Sequence, residues 1–349
     1  MIDKVYAIVD DVRSEYALDP RAAVFEVEVG SQDGELVVYG ASSVPQAVEE
    51  LHARIAALDG TVPIRDEVLR LPAAMDGRPP HAVVSVATAP MLAAPIISGS
   101  YLSTVLLGHR VMVLREYGRW QQCRAPDGYL GWIHRGYLKR LSEAEARSWE
   151  IGATAPQHYS LGAEVLDGEG EVMVRLPWGA RVCVRDGVAL LPDGRTGTVR
   201  GDVLPLAELG SRFPLDPERI VATTRQWSGT PYLWGGVTPW GVDCSGLVQA
   251  VYKTHGVHLP RDSDQQALEG VPVENGDDFS EILPGDLLFF AERQDRVSHV
   301  AISTGGSRII HSAVGNGGVS TNDLCGDNGY ERDLRSLLVT VRRIVSQAP

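Results

Sequence analysis

Cys244 lies in TPYLWGGVTPWGVDCSGLVQAVY (Thr230–Tyr252), where an approach rich in turn residues (Gly235, Gly236, Pro239, Gly241) gives way to a helical pattern with Leu247, Val248 and Val251 on one face. The helix should stop near Gly256. A cysteine on the first turn of a helix sits in the positive field of the backbone dipoles, which favours the nucleophilic thiolate. A thiol reagent is therefore expected to label Cys244 ahead of the other cysteines. Thiol nucleophiles also need an imidazole to take the proton. Val297–Ser303 (VSHVAIS) and Arg308–Ala313 (RIIHSA) read as strands joined by Thr304-Gly305-Gly306-Ser307. With a three-residue loop centred on Gly305, partner numbers sum to 610. His299 and His311 should then face each other directly on one side of the sheet, Cβ atoms ~5 Å apart. One ring would serve as base for Cys244 while the second orients it, as the third member of a triad does.

Plainer readings stand beside these. Cys123, Cys183 and Cys325 are expected to be inert buried packing; the four cysteines are widely spaced and contain no C-x-x-C, so neither a disulfide framework nor a structural zinc site is indicated. Two facing histidines can hold a metal, but no HExxH or convergent carboxylate pattern accompanies them, and no metal or cofactor is expected. Asp262, 18 residues beyond Cys244, opens DSDQQALEG and is either a helix cap or a cap that also binds a ligand. Trp120 and Trp132 read as barrel core, Asp286 as the residue fixing the turn into a Leu287–Phe290 strand, and His255 and His258 as surface residues.

The elements that must position these residues fall into four segments of the 349-residue chain. Residues 1–80 read as a small α+β unit: a hairpin from Ala23–Val29 and Glu35–Tyr39 across the turn Ser31–Gly34, then an amphipathic helix Val44–Leu58 opened by Ser43 and followed by Gly60. Residues 81–141 and 155–208 read as two small β-barrels. Ser142-Glu143-Ala144-Glu145 fits a capping box and predicts a short helix between them. Residues 214–349 carry the chemistry. His81–His109 contains no charged residue, yet Pro90, Pro95 and Gly99 break it into strands and turns rather than a membrane span. A net charge of −13 without a basic block argues against nucleic-acid binding. No basic segment followed by an apolar core opens the chain, so a cytoplasmic protein is expected.

The stretch VMVLREYGRWQQCRAPDGYLGWI resembles a bacterial SH3 domain, and GRTGTV (194–199) echoes its GYLGWI strand in the second barrel. The order Y-x-W-G-G, DCSG, PGDL (Pro284–Leu287), HVAI and an I-H-S strand resembles the NlpC-type cell-wall cysteine peptidases. That resemblance implies an α+β papain-like catalytic domain preceded by two SH3-like β-barrels and the N-terminal α+β unit. It implies Cys244 as nucleophile, His299 as base and His311 as orienter. With the SH3-like domains in front, it implies a γ-D-glutamyl-L-diamino acid endopeptidase acting on peptidoglycan-derived peptides with a free N-terminal L-Ala, in murein peptide recycling. In that subgroup Arg261-Asp262-Ser263 matches a motif that binds the substrate amine, Tyr232 and Trp234 match aromatic residues lining the site, and Tyr129 matches a pocket-closing tyrosine of the first SH3 domain. The Thr88–Ala94 loop lacks the acidic residue of the subgroup. The oxyanion would be met by the Cys244 backbone N–H and the Tyr232 hydroxyl. Rival readings are a non-catalytic wall-binding protein, against which the intact Cys/His/His set argues, and a thiol acyltransferase, whose relatives usually place histidine before cysteine.

Overall fold

The computed structural model describes every residue except 1, 17–18, 33–34, 59–63, 76, 275, 277, 293–295 and 346–349; the end of the expected Ser31–Gly34 turn and Gly60 lie outside the described residues. The chain divides into two compact units, one of Met1–Val83, Leu92–Gly99 and Arg110–Ala146, the other of Val84–Met91, Ser100–His109 and Arg147–Pro349.

In the first unit, helices α1 (Ile2–Glu15) and α2 (Pro45–Ala56) share a core with strands β1 (Phe25–Gln32), β2 (Glu35–Ser42) and β3 (Ile64–Arg70). β1 and β2 pair antiparallel from Phe25↔Ser42, and β3 lies parallel to β2. Phe25, Val27 and Val29 are buried while Glu26 and Glu28 face solvent, the period-two alternation of a half-buried strand. Ala47, Val48, Leu51 and Ile55 of α2 pack on Val5, Val9 and Val12 of α1. Ser43 is not the cap: Val44 occupies that position, Pro45 opens the helix, and the Ser43 Oγ accepts the Val24 N–H at 3.0 Å instead.

The charge-free segment becomes β4 (His81–Val84), β5 (Thr88–Leu92) and β6 (Tyr101–Leu106), followed by β7 (Arg110–Tyr117), β8 (Trp120–Arg124), β9 (Leu130–His134) and β10 (Leu138–Leu141). Strands β10-β4-β7-β8-β9 are hydrogen-bonded in that order. Cys123 and Ile133 point inward and are fully buried. Trp120 and Trp132 therefore take the opposite face, half-buried, with His134 edge-on to Trp120 and the Arg115 guanidinium over Trp132. They are not barrel core. Val24, Ala41 and Leu71 cluster with Leu114 and Leu130, so the N-terminal segment and these strands share apolar packing.

Helix α3 (Glu143–Glu150) begins with the expected capping box: the Ser142 Oγ accepts the Glu145 N–H at 3.2 Å and Glu145 accepts the Ser142 N–H at 2.7 Å. In the second unit, β11 (Gln157–Leu166), β12 (Val172–Leu176), β13 (Arg181–Arg185), β14 (Val188–Leu190) and β15 (Thr196–Pro205) form one five-stranded sheet, closed by pairing of β11 with β15. The segment 100–109 belongs to this unit: Leu107 accepts the Arg181 N–H at 2.9 Å and the His109 Nε2 meets the Gly179 carbonyl at 2.9 Å.

The remainder comprises α4 (Leu209–Arg212), α5 (Pro217–Arg225), the short pair β16 (Val237–Thr238) and β17 (Gly241–Val242), α6 (Cys244–Thr254), α7 (Ser263–Gln266), β18 (Val271–Val273), β19 (Leu287–Phe290), β20 (His299–Gly305), β21 (Arg308–Ala313), β22 (Gly318–Asp323), α8 (Gly329–Ser336) and β23 (Leu338–Arg343). A six-stranded sheet runs β18-β23-β19-β20-β21-β22. The apolar face of α6 (Leu247, Val248, Val251) packs against Leu287, Phe289, Val300, Ile302 and Ile310 of this sheet. Thr254 on the last turn of α6 meets the Tyr159 hydroxyl at 2.9 Å and accepts the Trp178 Nε1–H at 3.0 Å, tying helix to barrel. His255 is buried between the Thr223 hydroxyl and the Pro214 carbonyl, which corrects its surface reading; His258 is exposed. Asp286 is buried, accepting the Leu283 N–H and a bidentate pair from Arg343.

The β20–β21 register also differs from expectation. Ile302 pairs with Ile310 and Ser303 with Ile309, so partner numbers sum to 612, and an irregularity before Gly305↔Arg308 absorbs the offset. A shift of two positions leaves every side chain on its original face. His299 and His311 are thus diagonal neighbours on one face instead of directly opposed.

Candidate functional site

The site is assembled around the head of α6. Asp243 holds an extended N-cap conformation (φ −91°, ψ 179°), and its Oδ1 accepts the Gly246 N–H at 2.7 Å, so the helix starts at Cys244. Its Oδ2 accepts the Gly235 N–H at 2.8 Å and fixes the approach loop to the same carboxylate. Gly246 must lack a side chain: a Cβ there would lie 2.2 Å from the Gly236 carbonyl oxygen. Arg261 grips Asp243 in a bidentate pair (Nη2–Oδ2 2.6 Å, Nη1–Oδ1 3.1 Å) and also donates to Ser245 Oγ and Ser103 Oγ, each at 2.9 Å. Both partners are buried. Thr104 donates to the Gly235 carbonyl at 3.0 Å and shares a 2.7 Å hydrogen bond with the Tyr101 hydroxyl, so β6 lines the back of the approach loop.

The Cys244 thiol is buried, and burial pushes its pKa up to about 12, with the Asp243 charge adding to the rise; the Val300 and Ser245 backbone N–H groups and Arg261 act in the opposite sense. Burial thus opposes the helix dipole and favours the neutral thiol. The Val300 N–H at the sulfur places Cys244 beside the start of β20, whose first residue is His299. His299 Nε2 lies 2.6 Å from His311 Nδ1, the rings edge-on with centroids 4.9 Å apart. Burial, then the neighbouring His311, pushes His299 down to about 3. Burial likewise lowers His311, partly offset by its hydrogen bond to Asn322. Burial thus favours the neutral form of both imidazoles.

Tyr232 is half-buried; burial first, then Cys244 and Asp243, raises its phenol, which keeps its proton and can donate. Trp234 is exposed on the loop two residues further on. Ser263, the first residue of α7, is buried, and Asp262 just before it is half-buried. Asp262 occupies the N-cap position of α7 in an extended conformation, and its side chain makes no capping hydrogen bond. Tyr129 is buried in the first unit, immediately before β9. Cys123 and Cys183 are buried as expected, but Cys325 is exposed. Sequence reasoning missed Asp243, Arg261 as its partner, and Ser103. The first had a signal, an aspartate one residue before a helical apolar pattern. Asn322, which accepts from His311 Nε2 at 2.9 Å, had none. Among the described residues no cluster of three or more His, Cys, Asp or Glu could hold a metal ion, and no helix is long and apolar enough to cross a membrane.

A thiol on the first turn of a helix, packed on an antiparallel sheet that carries a hydrogen-bonded histidine pair, defines the papain-like class of cysteine peptidases. Comparison with known proteins names the branch. Residues 229–337 match the NlpC/P60 family and residues 88–139 the bacterial SH3 domain. The chain carries an NlpC/P60 cysteine-peptidase domain preceded by a bacterial SH3 domain. It is 29% identical over 224 residues to a gamma-D-glutamyl-L-lysine dipeptidyl-peptidase of Bacillus subtilis, covering 60% of this chain and 71% of that protein. It is 25% identical over 284 residues to dipeptidyl-peptidase 6 of Lysinibacillus sphaericus, covering 75% and 98%. A crystal structure of an NlpC/P60 family protein from Bacillus cereus has the same fold, with TM-score 0.63 at 22% identity, covering 76% of this chain and all of that one.

Proposed function

We propose that this protein hydrolyses the γ-D-glutamyl-L-diamino acid bond of peptidoglycan-derived peptides that carry a free N-terminal L-alanine. The observation that carries the reading is the Cys244 thiol at the head of α6 with the Val300 N–H at its sulfur, together with the hydrogen-bonded pair His299–His311, whose first member directly precedes Val300. The names of the relatives support the bond and the release of an N-terminal dipeptide. As the sulfur attacks the γ-carbonyl carbon, His299 takes the thiol proton and a C–S bond forms. The oxyanion is met by the Cys244 backbone N–H and the Tyr232 phenol. The C–N bond then breaks and His299 returns the proton to the departing amine of the diamino acid. Water, deprotonated by His299, attacks the thioester, releasing L-Ala-D-Glu and restoring the thiol.

Asp262 and Ser263 are read as the anchor for the substrate ammonium, with Trp234 as a wall. A charge-assisted bond to the amine contributes about 1.5–3 kcal/mol, roughly one to two decades in kcat/KM. A requirement for a free amine confines the enzyme to peptides already detached from muramic acid, which is recycling. The test is L-Ala-γ-D-Glu-L-Lys against its N-acetylated form, with products identified by mass, in wild type and Asp262→Ala. We expect cleavage of the free peptide only, and a loss of roughly ten- to hundredfold in the variant. Equal cleavage of both peptides by the wild type would refute the amine anchor, and absence of cleavage at the γ-bond would refute the substrate.

A further inference from the structure

We propose that Asn322, held by Glu331, is a positioning residue that fixes the tautomers of both histidines and so leaves His299 Nδ1 free to accept the Cys244 proton; this rests on the catalytic reading of Cys244, His299 and His311.

The argument is a count of donors, run inward from α8. The Glu331 carboxylate can only accept. It takes the Asp323 N–H at 2.9 Å and the Asn328 Nδ2 at 2.5 Å, and the Asn328 Oδ1 caps α8 by accepting the Glu331 N–H at 2.9 Å. Gly326 admits this carboxylate: a Cβ there would lie 1.8 Å from Glu331 Oε2. Asn322 donates its Nδ2 to Glu331 Oε1 at 3.3 Å, which orients the amide and turns its oxygen toward His311. That oxygen also accepts the Asn316 Nδ2 at 2.6 Å and stands 2.9 Å from His311 Nε2. Asn316 Nδ2, which only donates, also lies 3.2 Å from His311 Nε2, but it gives its hydrogen to the much nearer Asn322 Oδ1. An oxygen accepts only, so in the shorter 2.9 Å contact His311 Nε2 carries the ring proton and His311 Nδ1 is bare. The bare Nδ1 lies 2.6 Å from His299 Nε2, which must be the donor. A neutral imidazole has one N–H, so His299 Nδ1 keeps its lone pair. The neighbours of His311 are His299 on β20, Asn316 in the turn before β22, Asn322 on β22 and the Tyr330 ring on α8, with Glu331 behind Asn322.

The experiment compares full-length wild type with Asn322→Leu, Asn322→Asp and His311→Ala, measuring kcat and KM on L-Ala-γ-D-Glu-L-Lys across pH, with thermal unfolding of each variant. Asn322→Leu removes the acceptor, the His311 proton is no longer pinned to Nε2, and kcat should fall about tenfold or more at unchanged KM and unfolding temperature. Asn322→Asp keeps an acceptor and should restore most of kcat above neutral pH. Its added charge favours the imidazolium, so the acid limb should move to higher pH. Wild-type kcat in Asn322→Leu with a dead His311→Ala would end the chain of positioning at His311 and overturn the proposal. Parallel loss of kcat and unfolding temperature in both Asn322 variants would overturn it in favour of structural support. Full activity in His311→Ala would instead overturn the triad reading on which it rests.

Discussion

At the scale of the residue, two effects compete over Cys244. The field at a helix N-terminus contributes about 0.3–1 kcal/mol to an exposed anion and up to ~2 in favourable partly buried geometry. Burying an ion costs several kcal/mol. Burial wins: it pushes the Cys244 thiol up to about 12 and His299 down to about 3. On the proposed function, proton transfer is then expected to accompany attack instead of preceding it. At pH 7, iodoacetamide should modify exposed Cys325 before Cys244, the reverse of what helix placement alone implies; peptide mapping after brief labelling reads the order. His299 must be neutral to accept a proton, and its depressed pKa keeps it neutral well below the ordinary histidine value near 6.5. The acid limb of kcat/KM should lie below pH 6, and a limb at 6.5 would contradict the buried pair. The same sign governs stability: the unfolded chain takes up these protons below about pH 6.5 and the native state does not, so stability should fall as pH drops from 6.5 toward 3. Cys244, His299 and His311 were legible because their chemistry is local to short motifs. Asn322 was not, since nothing in TND marks it until β22 is set against β21, where it pairs with Ile309.

At the scale of the element, α6 is placed by a buried ion pair. Asp243 gives one carboxylate to the helix cap, the approach loop and Arg261 at once, so the loop before Cys244 and the helix after it share one anchor. Removing one partner of a buried pair leaves a bare charge and typically costs about 3–5 kcal/mol, whereas replacing both by apolar or neutral groups costs less. Arg261→Met should lose stability in that range in urea unfolding, and Asp243→Asn with Arg261→Met should recover part of it. A larger loss in the double variant would mean that the cap, not the charge pair, dominates. The hairpin shows what strand patterning conveys and what it does not. Period-two alternation fixed the face shared by His299 and His311, because an offset of two preserves it. The offset itself depends on the turn, where Gly305 and Gly306 both adopt positive φ and the ladder slips by one beside them.

At the scale of the whole molecule, the bacterial SH3 match runs continuously over 88–139, as a serial reading expects, while the chain crosses between its two compact units five times. Strand pairing is non-local, so nothing in His81–His109 announces that 84–91 and 100–109 belong with the peptidase. A protein beginning at residue 214 would lose the Ser103 contact to Arg261, the Thr104 contact to Gly235, and the Tyr159 and Trp178 contacts to Thr254. We expect such a fragment to unfold at a lower temperature than the full chain and to cleave the tripeptide poorly; equal behaviour of the two in calorimetry and turnover would contradict this. Ser103 and Arg261 are separated by 158 positions yet share one hydrogen bond at the head of the catalytic helix. Recombination that moved the peptidase as a cassette would strand that arginine. Exchange of the upstream modules between lineages is therefore constrained to breakpoints ahead of residue 84, and the stretch from there to the C-terminal sheet should be inherited as one block.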